Sequence, residues 1–150
     1  MGKVYDQVTM FKAKYPGTIT WWRLKKHAKV IEEHINPDEE PIFSFAGQKT
    51  PETWDFFSTA VLTLTNKRIL VAQDHILTGY TLNSVTPDMY NDLEVYAGVL
   101  WGRVTIDTVK ERIVFTNIDK KALGEIETQI SQHMMEEKKK YGTLNNKKKD

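Results

Sequence analysis

Apolar and polar residues alternate through "AVLTLTNKRILVAQD" (60–74), in two runs that meet at Asn66-Lys67. A period of two marks a strand with distinct faces, and two such runs around a polar pair predict a β-hairpin. With Asn66 and Lys67 as the turn, Leu64 faces Ile69 and Leu62 faces Val71 on one face. Thr63 with Leu70 and Val61 with Ala72 lie on the other. A slip of one residue would reverse both faces, so the pattern sets the register. Asn66 is expected to take the positive φ that two-residue hairpin turns favour. "RVTIDTVKERIVFT" (103–116) repeats the arrangement. A turn centred between Val109 and Lys110 sets Ile106 against Ile113 and Val104 against Phe115, and pairs Asp107 with Arg112 on the solvent face.

The same reading extends along the chain. Residues 1–17 are mixed and end in the breaker Pro16-Gly17. From Thr18 to Ile35 the period turns helical, with Leu24, Ala28, Ile31 and Ile35 on one stripe, and Asn36-Pro37 stops it. Strand patterns follow at 41–48, 57–65, 67–74, 78–83, 92–98, 101–107 and 111–117, with no helix-length crossover between them. Antiparallel pairing in a sandwich or barrel is the expected result. After Asn117 a second helix is predicted, capped by Asp119 and carrying Leu123, Ile126, Ile130 and Met134 on one stripe. The fold class is α+β, mainly β: a seven-stranded antiparallel sandwich or barrel, a C-terminal helix and an extra N-terminal helix. The expected organisation is an N-terminal segment over 1–40, a folded domain over 41–137 and a basic, disordered tail over 138–150.

That order of elements resembles the pleckstrin-homology (PH) superfold, in which the C-terminal helix plugs the open corner of the sandwich. "INPDEEPIFSFAGQ", "AVLTLTNKRILV", "YTLNSV", "GVLWGRVTI" and "RIVFTNIDKKALGEI" occur in the order seen in bacterial PH domains of the YokE-like type. The resemblance spans residues 35 to 135. It implies a PH-like fold and a binding role on strand edges and loops, and makes self-assembly an expectation.

Charge and composition narrow the function. The chain has 150 residues and a formal charge of +1. The tail carries six lysines against Asp150, a charge of +5, which leaves −4 on the remaining residues. An acidic body argues against a nucleic-acid reader. No cysteine is present, which excludes disulfides and thiolate zinc sites and fits a cytoplasmic setting. No stretch has the length and apolarity of a membrane span. His27 and His34 share a helix face without the spacing or third ligand that a metal needs. His75 stands beside Asp74 with no nucleophile elbow nearby, and no phosphate loop, dinucleotide fingerprint or calcium loop occurs. No catalytic residue, metal site or cofactor is assigned, and the expected function is non-enzymatic.

Two binding surfaces stand out. The loop "GQKTPETWDFFS" (47–58) sets Lys49 against Glu52 and Asp55, a net −1 that argues against phosphoinositide binding. The same loop offers Trp54, Phe56 and Phe57, and Arg68 follows the hairpin turn. Aromatic anchors of this kind dominate protein interfaces, so these four residues are the candidate site for a partner protein or a second copy. The alternative is a peripheral membrane module, with Trp21, Trp22, Arg23, Lys25, Lys26 and Lys29 facing anionic lipid and the lysine tail assisting. Glu32 and Glu33 hold that helix to about +2, and docking of its apolar stripe on the sandwich is the favoured arrangement.

Overall fold

The computed structural model describes residues 2–20, 23–49, 58–75 and 77–149. Two helices come first, α1 (Lys3–Lys14) and α2 (Leu24–His34). Strands β1 (Pro41–Lys49), β2 (Thr59–Thr65), β3 (Ile69–His75) and β4 (Gly79–Val85) follow. A short 3₁₀ turn leads to β5 (Tyr90–Ala97), β6 (Gly102–Thr108) and β7 (Arg112–Ile118), and α3 (Leu123–Lys149) closes the chain. All seven strands join one antiparallel sheet in the order β4-β3-β2-β1-β7-β6-β5, curled into a half-barrel.

Both hairpins adopt the register that the alternation dictates. Leu64 pairs with Ile69, Leu62 with Val71, Thr63 with Leu70 and Val61 with Ala72. In the second, Ile106 pairs with Ile113, Val104 with Phe115 and Asp107 with Arg112. The turns are built differently from expectation. Among described residues other than glycine, only Arg23 and Asn117 have positive φ, so Asn66 does not supply a left-handed turn. Thr65 does the work instead: its hydroxyl accepts from the Lys67 amide at 3.1 Å and the Arg68 amide at 3.0 Å. Thr108 repeats this, accepting from Lys110 and Glu111 at 3.3 and 3.0 Å. A side-chain acceptor that satisfies the turn amides removes the need for positive φ.

The two faces of the first hairpin enter two separate cores. Leu62, Leu64, Ile69 and Val71 join Phe45, Val104, Ile106, Phe115 and the α3 stripe inside the half-barrel. Leu123, Ile126, Ile130 and Met134 are all buried there, so α3 is the plug. Gly102 lets it seat, since a Cβ at that position would come within 2.7 Å of Leu123 Cδ1. On the outer face, Val61, Leu70, Ala72 and Ala46 pack beneath Ala28, Val30 and Ile31 of α2, with Val4 and Val8 of α1. Docking of α2 on the sheet is thus what its stripe achieves.

Three boundaries differ from the sequence reading. The mixed stretch 1–17 contains α1, whose Val4, Val8 and Phe11 are buried. Its cap is not local: the Tyr5 amide donates to Glu32 Oε1 of α2 at 2.9 Å, and a side chain at Gly2 would collide with that carboxylate. The second helix begins at Leu24 rather than Thr18, because Arg23 sits in the left-handed region at φ 65°. The tail expected to be disordered continues α3 to Lys149.

The seat under α3 is testable. Gly102→Ala should destabilise the fold by about 1–3 kcal/mol, since Leu123 has to shift in a packed core. Urea unfolding checks this, with an unchanged m-value expected.

Candidate binding surface

The expected site residues separate on folding. Trp21, Trp22, Trp54, Phe56 and Phe57 lie outside the described residues. Arg68 points inward to a carboxylate. Its Nε donates to Glu39 Oε2 at 2.9 Å and its Nη2 to Glu39 Oε1 at 3.0 Å, and the Glu39 side chain is fully buried. The same guanidinium reaches Ser84 Oγ at 3.1 Å and the His34 carbonyl at 3.3 Å. Thr65 Oγ1 donates to Glu39 Oε2 at 2.6 Å. Burial works against the Glu39 charge, yet the bonds from Arg68, Thr65 and the Asn36 amide outweigh it and hold the carboxyl below its ordinary value. Arg68 is therefore a lock joining β3, β4, the end of α2 and the connector before β1, and its donors are taken within the fold.

Of the basic residues at and within the second helix, Arg23 just before it pairs with Asp74 at 2.5 Å, and the Asp74 amide donates to His27 Nδ1 at 2.7 Å. Lys25, Lys26 and Lys29 are exposed, with Lys29 3.6 Å from Glu33. His34 Nε2 meets the Tyr80 hydroxyl at 3.0 Å, and His75 Nε2 meets Thr81 Oγ1 at 2.7 Å. Among the described residues no cluster of three or more histidine or acidic side chains could hold a metal, and no helix is long and apolar enough to cross a membrane. A groove of about 260 Å³ lies between α1, β1 and α3. Its rim groups pair with each other: Tyr15 donates to Glu125, and Lys14 lies 3.0 Å from the same carboxylate.

A different surface has exposed apolar groups together with unpaired backbone. The β5–β6 hairpin turns on Val99 and Leu100, which are 91% and 69% exposed. The turn is held rigidly. Gly98 N donates to the Trp101 carbonyl at 2.9 Å, Trp101 Nε1 donates to the Gly17 carbonyl at 3.2 Å, and Lys120 Nζ reaches the Val99 carbonyl at 2.9 Å. Tyr96 and Arg103 stand behind it, the guanidinium 4.9 Å from the ring centre. With Thr116 and Asn117 they line a shallow groove of about 340 Å³.

β5 is also a sheet edge. Gly98 and Trp101 form a hydrogen-bonded pair, so strict alternation makes Tyr96–Arg103, Glu94–Thr105 and Asp92–Asp107 the bonded pairs further along. The N–H and C=O groups of Leu93, Val95 and Ala97 then point away from β6. No other described residue bonds to them, and the 37% exposed Val95 side chain lies between them. The other edge, β4, is engaged by side chains: Tyr80 meets His34, and Asn83 Nδ2 donates to Glu111 Oε1 at 2.8 Å. The strand patterns at 92–98 and 101–107 leave Val99 and Leu100 between them, where the turn forms, but the local pattern does not signal that both aliphatics are exposed.

Two results follow. Arg68→Met should cost about 3–5 kcal/mol at neutral pH, because it strands a buried carboxylate. A depressed carboxyl stabilises the fold above its unfolded-state value and loses that contribution as pH falls through the folded one, so the deficit of the variant should shrink on acidification. Urea titrations across acidic pH measure this. Val99→Ser with Leu100→Ser should instead change stability by no more than about 0.5 kcal/mol each, since both side chains face solvent.

The comparisons with known proteins bear on the fold. Nothing among curated proteins matches the chain. Two crystal structures are similar in shape. One is a DUF1696-family protein with a pleckstrin-homology domain from Shewanella loihica PV-4, at 13% identity and a TM-score of 0.48, covering 81% of this chain and 98% of that one. The other is a pleckstrin homology domain from Shewanella amazonensis SB2B, at 12% identity and a TM-score of 0.44, covering 85% and 98%. A family model described as "Bacterial PH domain" matches residues 35–132, a span that takes in all seven strands and the start of the plug helix while leaving α1 and α2 before it. The chain belongs to the bacterial PH-domain family.

Proposed function

We propose that this chain is a non-enzymatic, YokE-like binding module that recognises protein through the open edge of β5, by pairing with an extended segment. The observation that carries this is the row of outward-facing backbone groups at Leu93, Val95 and Ala97 beside the rigid, exposed Val99-Leu100 turn. Main-chain bonds to an added strand supply affinity, and the alternating side chains beside it supply selectivity. Exposed edges are normally guarded by charge, proline or covering structure. Here Asp92 and Glu94 supply outward charge, but nothing covers the backbone row among the described residues.

The membrane alternative has less support. The apolar stripe of α2 is buried against β2 and β3, so Lys25, Lys26 and Lys29 are exposed without an apolar face of their own helix beside them. A helix that lies in a bilayer interface needs that face.

Val95→Pro tests the reading. Proline removes an N–H that β6 does not use, and edge strands accept it at such positions. The variant should keep the circular dichroism spectrum of the parent and lose at least about tenfold in affinity for any protein captured by the parent, as one lost bond and a steric block imply. Capture that is equally strong with Val95→Pro would place recognition elsewhere.

A further inference from the structure

We infer that the segment accepted by the β5 edge is a basic strand, with lysine or arginine at alternate positions and aliphatic residues between them. This rests on the reading of β5 as the binding edge and adds the chemistry of its partner. The choice comes from the side chains beside the backbone row. Leu93 joins the inner core, so alternation turns Val95 inward as well and Asp92, Glu94 and Tyr96 outward. Asp92 and Glu94 are exposed, and among the described residues neither has an ion-pair partner. Asp92 lies directly opposite Asp107, whose own cation is Arg112 at 3.5 Å. Like charges in opposite positions cost stability, so Asp92 lacks compensation within its own sheet. Glu94 faces the uncharged Thr105. A third carboxylate is close on the α3 side: burial raises the Tyr90 hydroxyl above its ordinary pKa, and the charges of Asp92 and Glu127 raise it further. The nearby cations are engaged elsewhere. Lys138 Nζ donates to the Tyr90 carbonyl at 2.5 Å, and the Arg103 guanidinium lies 4.9 Å from the centre of the Tyr96 ring.

An antiparallel strand added to β5 meets these carboxylates at close range. Leu93, Val95 and Ala97 carry the outward N–H and C=O groups, so they form the bonded pairs and Asp92, Glu94 and Tyr96 form the non-bonded ones. Side chains approach more closely at non-bonded pairs, so the charge opposite Asp92 and Glu94 decides which strand fits. Lysine or arginine is attracted at both positions, and aspartate or glutamate is repelled at both. Charge on an edge also serves as a guard against strand addition. A charge that points inward acts against every strand, because pairing would bury it. Here the inward residue is Val95, 37% exposed, and the carboxylates stand on the outer face, where an incoming cation can match them. Aliphatic residues between the cations meet Val95 on the inner side, where Met135 of α3, one turn before Lys138, is 46% exposed.

A nuclear magnetic resonance titration of the full chain with two end-blocked peptides, at low ionic strength, tests this. Thr-Val-Lys-Val-Lys-Val-Thr presents two lysines on one face and valines on the other in either chain direction. Thr-Val-Glu-Val-Glu-Val-Thr reverses the charge and keeps the pattern. The lysine peptide should bind at least about tenfold more tightly and shift the amide resonances of Leu93, Val95 and Ala97. Asp92→Lys with Glu94→Lys, two exposed substitutions, should reverse the preference in favour of the glutamate peptide. Val95→Pro should abolish the shifts at Leu93 and Ala97. A parent that binds both peptides equally, prefers the glutamate peptide or binds neither overturns the basic-strand assignment, as does a preference that the double substitution leaves unmoved. In those cases capture by the Val95→Pro variant still decides the edge itself. A lysine preference whose shifts lie away from β5 and persist in Val95→Pro overturns both the assignment and the reading of β5 as the binding edge.

Discussion

The architecture depends on one constraint: the sheet formed by β1, β2 and β3 is apolar on both faces, so neither face tolerates water. Inside, Phe45, Leu62, Leu64, Ile69 and Val71 need α3; outside, Ala46, Val61, Leu70 and Ala72 need α2 and the start of α1. α1 serves both, with Val4 and Val8 in the outer core and Phe11 and Tyr15 in the inner one. Burial at roughly 25 cal/mol per Å² of apolar surface is the dominant favourable contribution, and it is divided between two layers. The two N-terminal helices are therefore part of the folded unit, although they precede the span that matches the family.

That covering is uneven. The outer face over β1–β3 is closed by helices. Over β5–β7 it is open and polar, with Asp92, Glu94, Arg103 and Arg112 exposed along it. The two sheet edges differ as well. β4 lies beside α2 and the β6–β7 turn, and its side chains bond to both. β5 has α3 on its inner side and solvent along its backbone. An open edge with an apolar turn at its end is the feature on which the proposed binding role rests.

The Glu39–Arg68 pair gives a physical meaning to two of the segments behind the family resemblance. "DEEP" and "TNKR" are far apart in the chain, yet one supplies the buried carboxylate and the other supplies both the Thr65 hydroxyl and the guanidinium that hold it. A fully buried charge is tolerated only when paired and hydrogen-bonded, so each segment constrains the other. The place of Arg68 after a turn points to a surface cation. The partner that turns it inward is 29 residues away.

Seven strands, two hairpin registers and the plug helix were legible from the sequence because each rests on a local period: apolar side chains at every second residue in strands, at every third or fourth in α3. The stripe from Leu24 to Ile35 favours docking of α2 over a membrane surface without deciding it, and does not show that the opposite face of β2 and β3 receives it. What the local pattern could not carry was anything closed by a distant group. α1 is capped by Glu32 of another helix, Arg68 is claimed by Glu39, and β5 is an edge only because six other strands take the remaining places. Periodicity along a chain determines which face each element buries. Which edge and which turn remain in solvent depends on where the other elements pack, and only the tertiary structure decides that.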